Sequence, residues 1–282
     1  MPGRNHRHLI IGAALTLAHP AWAAPPKPAA PKAARPSPSK LDLPALQKSL
    51  ESGDEPQLLA ALDTIAKAGD PAGASLVEAL LGRGAGLVAL GRAIETLGLL
   101  GQISSGSALA PYTQHRNPEL RRSALRALIA TKSPAAPEAA RRALRGNDPV
   151  QRGIAARGLG ELGVRAAVPD LFNVLPKDVS EAAQALGILC VGEECDKFLS
   201  LLGKLRFEVM ESGIVPLLLR PQAEVSDPQK LRLIERLRRM ATQPANQLIQ
   251  TALGRFPADG SAAVREGLQK ALKGHSVSSE SE

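Results

Sequence analysis

The residues able to do chemistry in this 282-residue chain are few, and two cysteines stand out among them. Cys190 and Cys195, in LCVGEEC, are its only cysteines and bracket a predicted turn between two helices. In an exported chain this spacing predicts a local disulfide, whose short loop would contribute about 2 kcal/mol. Two free buried thiols and a redox-active pair are the alternatives, but redox motifs favour a two-residue gap.

Other catalytic and metal-binding candidates are scarce. Outside the N-terminal leader described below, the only histidines are His115 and His275. Glu193, Glu194 and Asp196 could hold a cation, but an acidic run in a turn is usually just solvated. The sequence therefore predicts no catalytic residue, no metal site, no cofactor and no small-molecule substrate.

The two ends of the chain differ from its middle. Residues 1–23 place Arg4 and Arg7 before the apolar run LIIGAALTLA and end in small residues, which predicts a secretory signal peptide cleaved after Ala23. A membrane anchor is the alternative, but the run is only about half of the ~20 residues that span a bilayer. Residues 24–40 form a Pro/Ala-rich linker and residues 275–282 a disordered tail, which leaves 41–274 as the folded domain.

Charge is unevenly distributed along the chain. The formal net charge is +8, but residues 1–40 hold six basic residues and no acid, so the remainder carries only +2. Residues 116–165 have eleven basic residues against four acidic ones, whereas residues 42–78 have two against seven. Aromatic residues make up 2% of the chain, too few for base-stacking platforms.

An apolar pattern recurs along the folded part at intervals of about 30 residues. Its best copies are Ala61-Leu62-Ile65, Ala93-Ile94-Leu97, Ala124-Leu125-Leu128, Ala155-Ala156-Leu159 and Ala182-Ala183-Leu186. In four of the five copies a Gly or Cys follows at the same phase and predicts a helix stop, at Gly69, Gly101, Gly163 and Cys190, whereas the third copy has Lys132 there. The second helix repeats as well, with Val168, Leu171 and Leu175 in phase with Cys195, Phe198 and Leu202 and more weakly with Pro137, Ala140 and Leu144. A compact helix bundle is the alternative, but it would not require five in-phase copies.

Local signals support this register. Side-chain caps followed by a proline in the first turn are predicted at Asn117-Pro118, Asp148-Pro149 and Asp227-Pro228. Gly153, Gly158 and Gly160 share one predicted helix, at a cost of roughly 1 kcal/mol each against Ala. We therefore expect neighbouring helices to approach closely there.

The segments DPVQRGIAARGLGELGVRAAVPDL and NPELRRSALRALIATKSPAAPEAARRAL resemble HEAT-like repeats of the short phycobilisome-lyase type, over about residues 54–205. The resemblance implies an all-α, right-handed α-solenoid of stacked helical hairpins, with about seven repeats, in an exported bacterial protein. Similarity to the bilin lyases is through the repeat alone. The resemblance also implies a ladder between repeats, built from Asp148 with Arg152 and from Asn117 with Arg121.

The predicted function follows from this architecture. In such solenoids the second helix of each pair lines a concave surface, which places the partner-binding residues at Arg141, Arg142, Arg145, Asp170, Asn173, Lys197 and Ser200. We predict a non-catalytic protein-binding scaffold, periplasmic or secreted and without stable membrane insertion. The alternative is binding of an anionic polymer, nucleic acid or an acidic envelope glycan, through the basic stretch 116–165.

Overall fold

The predicted apolar stripes fold into helices throughout the computed structural model, which describes residues 41–276. Fifteen α-helices and no β-strand lie within these residues. The helices are α1 (Leu43–Glu51), α2 (Glu55–Ala68), α3 (Ala74–Arg83), α4 (Leu87–Leu100), α5 (Gly106–Leu109), α6 (Pro118–Ala130), α7 (Ala136–Arg145), α8 (Pro149–Glu161), α9 (Val168–Val174), α10 (Ser180–Leu189), α11 (Glu193–Ser200), α12 (Phe207–Leu219), α13 (Asp227–Met240), α14 (Gln243–Arg255) and α15 (Ala262–Ser276).

These helices alternate between two layers. The first helices α2, α4, α6, α8, α10, α12 and α14 each pack on the next member of their layer. The second helices α3, α5, α7, α9, α11, α13 and α15 form the other layer, together with α1. The described residues are thus an α-solenoid of seven successive helix pairs preceded by one helix, which confirms the predicted architecture. The regular pairing continues through α12–α15, where the sequence period is blurred.

The core lies between the two layers and consists of the residues that carry the repeat. All five copies of the first-helix motif are buried, from Ala61 to Leu186. The second-helix set is buried as well, including Val168, Leu171 and Phe198. Each helix pair alone would leave these stripes in water, so every repeat depends on its neighbours for stability.

The helix stops have the predicted positions but not a uniform geometry. Gly69, Gly101 and Gly163 adopt left-handed backbone conformations with φ between 62° and 69°. Lys132 takes the same conformation at the equivalent position, with φ 52°. In the fifth pair Cys190 is extended instead, and the left-handed residue is Gly192. The turn between α10 and α11 is therefore the irregular one, and it is the turn that the cysteines bracket.

Two of the three predicted helix caps are formed. Asn117 accepts hydrogen bonds from the backbone N–H groups of Glu119 and Leu120, and Asp148 does the same for the first turn of α8. The prediction for Asp227 was wrong, because α13 begins at Asp227 and Ser226 is its cap. Ser226 forms a capping box with Gln229, and this arrangement moves the helix start by one residue.

Close approach of first helices at glycine is confirmed. A Cβ at Gly158 would overlap the side chain of Ile129, and one at Gly160 would lie 3.1 Å from the Cα of Ala185. The tightest crossing joins α10 and α12, where a Cβ at Gly187 would overlap the carbonyl oxygen of Gly213. Small residues therefore set the spacing of the first-helix layer.

Several predictions concern residues that the structure does not describe. The signal peptide 1–23 and the linker 24–40 lie outside the described residues, as does the tail beyond Ser276. The last helix, α15, runs two residues past the predicted domain end at 274. No helix in the described part of the chain has the length and apolarity needed to cross a membrane.

Candidate partner-binding surface

The seven residues predicted to bind a partner all lie on second helices of three successive pairs. They are Arg141, Arg142 and Arg145 on α7, Asp170 and Asn173 on α9, and Lys197 and Ser200 on α11. Because α7, α9 and α11 are consecutive members of one layer, the structure places these residues along that layer. Their contacts divide them into two groups.

Arg141 and Asp170 fasten α7 to α9. The Nε of Arg141 donates a hydrogen bond of 2.9 Å to Oδ2 of Asp170, and Nη1 of Arg145 lies 3.6 Å from the same oxygen. The Asp170 side chain is only 16% exposed. A partly buried ion pair with good geometry orders the two helices relative to each other, so Arg141 and Asp170 hold the surface in place.

Arg142 and Arg145 remain accessible. Each side chain is 52% exposed, and Arg142 makes only a loose 3.8 Å pair with Glu138 on its own helix. Exposed ion pairs of this kind contribute little to stability, typically below about 1 kcal/mol. The Arg142 guanidinium can therefore turn to a partner at little cost to the fold, whereas Arg145 would also give up its 3.6 Å contact with Asp170.

Lys197 and Ser200 extend the surface onto α11. The Lys197 ammonium lies 4.4 Å from the centre of the Phe172 ring of α9. Ser200 donates a hydrogen bond of 2.7 Å to the carbonyl oxygen of Lys197. The cation–π contact continues the lateral connection from α9 to α11 while both residues stay on the solvent side.

A groove of about 510 Å³ between α11 and α13 adjoins Ser200, and most of its polar residues were not anticipated from the sequence. Arg236 donates to the carbonyl oxygens of Leu199 and Leu202 at 3.1 and 2.7 Å, and Arg232 pairs with Asp196 at 2.6 Å. These contacts bind α13 to α11. The signal that could have revealed the groove is the basic segment LRLIERLRRM, whose arginines recur at helical spacing.

At the rim of this groove, two arginines of α13 share one carboxylate. Arg238 and Arg239 both donate to the carboxylate of Glu235, at 2.7 and 2.8 Å. These hydrogen bonds, from Arg238 first and then Arg239, lower the pKa of Glu235 to about 2. The carboxylate therefore stays ionised at any physiological pH, and the rim keeps a fixed charge pattern.

The inter-repeat ladder has a different composition from the predicted one. Asp148 is held by Arg122, while Arg121 lies 3.8 Å from it and donates to the carbonyl oxygens of His115 and Arg116. Arg152 does not bond to the Asp148 carboxylate but donates to the carbonyl oxygen of Gly146. Arg121 and Arg152 thus donate to carbonyl oxygens just before their own helices. Arg122, next to Arg121, instead pairs with an acid of the next repeat.

The basic stretch 116–165 does not form one surface. Arg126 and Arg157 lie on first helices, whereas the arginines of α7 lie on a second helix. Acids of the following repeat lie opposite some of these eleven bases, as in the pairs Arg122–Asp148, Arg141–Asp170, Arg157–Glu181 and Arg165–Glu194. Asp170, Glu181 and Glu194 lie outside the stretch, so part of its excess of positive charge is offset between repeats.

The cysteine pair and His115, the remaining candidates for chemistry, contact only neighbouring residues of the fold. The sulfur atoms of Cys190 and Cys195 are within bonding distance, with the Cα atoms 5.1 Å apart, so the disulfide can form. His115 accepts a hydrogen bond from the N–H of Asn117 through Nδ1 and stacks on Tyr112. Among the described residues, no group of three or more His, Cys, Asp or Glu side chains is placed to hold a metal ion.

The sequence matches no protein-family model and no curated relative. Solved structures with a similar fold include the CpcE–CpcF complex of phycocyanin lyase from Nostoc sp. PCC7120. Its sequence identity to this chain is 15% and the TM-score is 0.48; the alignment covers 89% of this chain and 100% of that one. An engineered protein has 18% identity and a TM-score of 0.46, and the alignment covers 83% of this chain and 68% of that one. A designed armadillo repeat protein has 16% identity and a TM-score of 0.37, and the alignment covers 83% of this chain and 100% of that one. All three scores lie below 0.5, so these similarities indicate neither a partner nor a chemistry for this chain.

Proposed function

We propose that this protein is a non-catalytic scaffold that acts outside the cytoplasm and binds a partner protein on its second helices. The binding surface, termed here the second-helix face, comprises Arg142, Arg145, Asn173, Lys197 and Ser200 together with the groove between α11 and α13. The observation that carries the proposal is this groove, because it adjoins the predicted line of residues and has a volume of about 510 Å³. Arg141 and Asp170 then serve to position α7 against α9.

The charge distribution favours a protein over an anionic polymer. A polymer such as nucleic acid requires a continuous basic track, since affinity grows with the number of phosphates contacted. Here the bases of 116–165 are divided between the two layers, and several pair with acids of the next repeat. The second-helix face instead mixes arginines with Asp196, Glu235 and apolar side chains, as protein-binding surfaces do.

Two features support a location outside the cytoplasm. Residues 1–23 have the layout of a cleavable signal peptide. The Cys190–Cys195 pair is positioned to form a disulfide, a bond that persists in oxidising compartments and is rare in the reducing cytosol.

The proposal is tested with the full chain carrying an affinity tag, expressed with its leader and cross-linked in the cell envelope. We expect a discrete cross-linked partner that is lost in the double variant Arg142→Glu/Arg145→Glu. A matched control, Lys48→Glu/Lys67→Glu, makes the same charge change at exposed sites on α1 and α2 and should retain the partner. Equal capture by both variants would show that the second-helix face is not the binding surface.

A separate titration addresses the anionic polymer. Heparin and a single-stranded oligonucleotide are titrated onto the purified chain at several salt concentrations. We expect weak binding with no dependence on Arg142 and Arg145. Tight binding whose affinity falls steeply as the salt concentration rises, as the release of several counterions would cause, would establish the polymer as the ligand instead.

A further inference from the structure

The opposite layer of the solenoid has a groove of its own, across the outer sides of α4, α6, α8 and α10. It consists of two depressions, about 410 Å³ between α4 and α6 and about 610 Å³ from α6 to α10, which share Arg126 and Ala130. We call it the first-helix groove and define it by Leu99, Arg126, Ala130, Val150, Ile154 and Arg157.

Glycines shape this groove. Gly98, Gly153 and Gly158 line it, on α4 and α8. At Gly98 the neighbouring helix lies so near that an added Cβ would be 3.0 Å from the Cα of Ala127. The missing side chains bring the helices together and at the same time leave depressions in the outer surface.

Large apolar side chains are exposed along it. Leu99 is 74% and Val150 45% solvent-exposed, and Ile154, which lines the larger depression, is partly exposed. A single exposed apolar residue is ordinary on a protein surface. Two that line one groove, with Ala130 between the depressions, form an apolar strip of the kind that marks an interaction site.

Two opposite charges on this groove lack a partner within residues 41–276. Arg126 lines both depressions, and Glu161 lines the larger one; neither makes an ion pair or side-chain hydrogen bond there. Arg157, in contrast, faces Glu181 at 3.7 Å. Within the described residues, the groove therefore offers one unpaired cation shared by both depressions and one unpaired anion in the larger depression.

We propose that the first-helix groove binds an amphipathic helix of a partner protein, independently of the second-helix face. The complementary helix carries an apolar stripe, an acidic residue opposite Arg126 and a basic residue opposite Glu161. A helix fits better than an extended peptide, because a helix satisfies its own backbone hydrogen bonds whereas this apolar strip offers few groups to pair with a bare backbone.

The dimensions set the length of the bound helix. Leu99 lies near the end of α4 and Val150 in the first turn of α8. They are two helix spacings apart, about 16–20 Å, and offset by roughly 16 Å along the helix axes, so the distance between them is about 24 Å. A helix rises 1.5 Å per residue, so about 16 residues cover this distance. The apolar stripe of the bound helix then places three or four side chains in the groove, as in other complexes in which a helix binds a groove.

The test selects peptides from a displayed library of helical sequences of about 18 residues against the full purified chain. We expect enrichment of peptides with apolar residues three and four positions apart and at least one acid. Selected peptides should bind the Arg126→Glu variant about tenfold more weakly and the Leu99→Asp/Val150→Asp variant more weakly still. The control Arg142→Glu, in the other layer, should bind them unchanged, and melting temperatures should match because the altered residues are exposed.

Three results would overturn the proposal. The first is a selection that enriches no peptide, and the second is a set of peptides that bind all variants equally. The third is self-association through this surface, seen as a dimer of the full chain that Leu99→Asp converts to a monomer in sedimentation experiments.

Discussion

Arg122 and Asp148 form a two-pronged ion pair that joins successive repeats. Nε and Nη2 of Arg122 donate to Oδ2 and Oδ1 of Asp148 at 2.9 and 3.1 Å. The same carboxylate accepts from the N–H groups of Val150 and Gln151 and so caps α8. One side chain therefore starts a helix and attaches it to the preceding repeat.

Removing this carboxylate should cost more stability than removing a cap alone. We expect Asp148→Ala to lower the free energy of unfolding by the ~1 kcal/mol typical of a lost cap plus the loss of the inter-repeat ion pair. Asn117→Ala is the matched control, because Asn117 caps α6 at the equivalent corner without an ion pair from its side chain. Urea unfolding monitored by helical circular dichroism gives both values. Equal losses would show that the Arg122 contact contributes nothing.

The same carboxylate predicts how stability changes with pH. Hydrogen bonds from Arg122 hold the pKa of Asp148 below its usual value of 3.8. The folded state therefore binds this proton less readily than the unfolded state, so the contribution is complete above 3.8 and is lost as the pH falls toward the lower folded value. We expect Asp148→Asn, which keeps a capping side chain, to lose less stability on acidification than the unaltered protein. Parallel acid dependences would exclude this role.

The crossing of α10 and α12 should tolerate no additional methyl group. Gly187→Ala would place a Cβ against the carbonyl oxygen of Gly213, and separating the helices is expected to cost about 1–3 kcal/mol. Gly254→Ala in α14 is the control, since nothing lies within 4 Å of its Cβ position. That variant should be neutral or more stable by up to about 1 kcal/mol. Thermal unfolding compares the two, and a stable Gly187→Ala protein would contradict the close approach.

The left-handed stop at Lys132 predicts a stabilising substitution. A side chain at φ 52° is strained relative to glycine by roughly 1 kcal/mol. Lys132→Gly should therefore raise the melting temperature, and the reciprocal Gly101→Lys should lower it. If both substitutions lower the melting temperature, Lys132 makes contacts that outweigh the backbone strain.

The cysteine pair predicts a redox dependence of stability. We expect protein from the cell envelope to react with a thiol reagent under denaturing conditions only after reduction. Cys190→Ser/Cys195→Ser should lower the free energy of unfolding by about 2 kcal/mol on the chain-entropy model. The turn is also held by Gln229, which donates to the carbonyl oxygen of Gly192 at 2.9 Å, so the variant should still fold. Two thiols that react before reduction would show that the bond does not form.

The sequence by itself determined the helices and the architecture. The copies of the apolar motif, the stops at Gly69, Gly101 and Gly163 and the caps at Asn117 and Asp148 are local or periodic features, and each is formed as predicted. Periodicity identifies the buried side of a helix because a single stripe can be buried only against another element. Repetition at a fixed interval then identifies that element as the neighbouring copy.

Only the tertiary structure decided which polar residues meet. Arg121 and Arg122 are adjacent in the sequence, and the choice between them as the partner of Asp148 depends on how one repeat rotates against the next. The first-helix groove likewise depends on how closely α4, α6 and α8 approach at their glycines, and the α11–α13 groove involves a helix beyond the clear repeat. Pairings between repeats join residues about 30 positions apart, so they follow from the stacking angle of whole helices, which no single segment encodes.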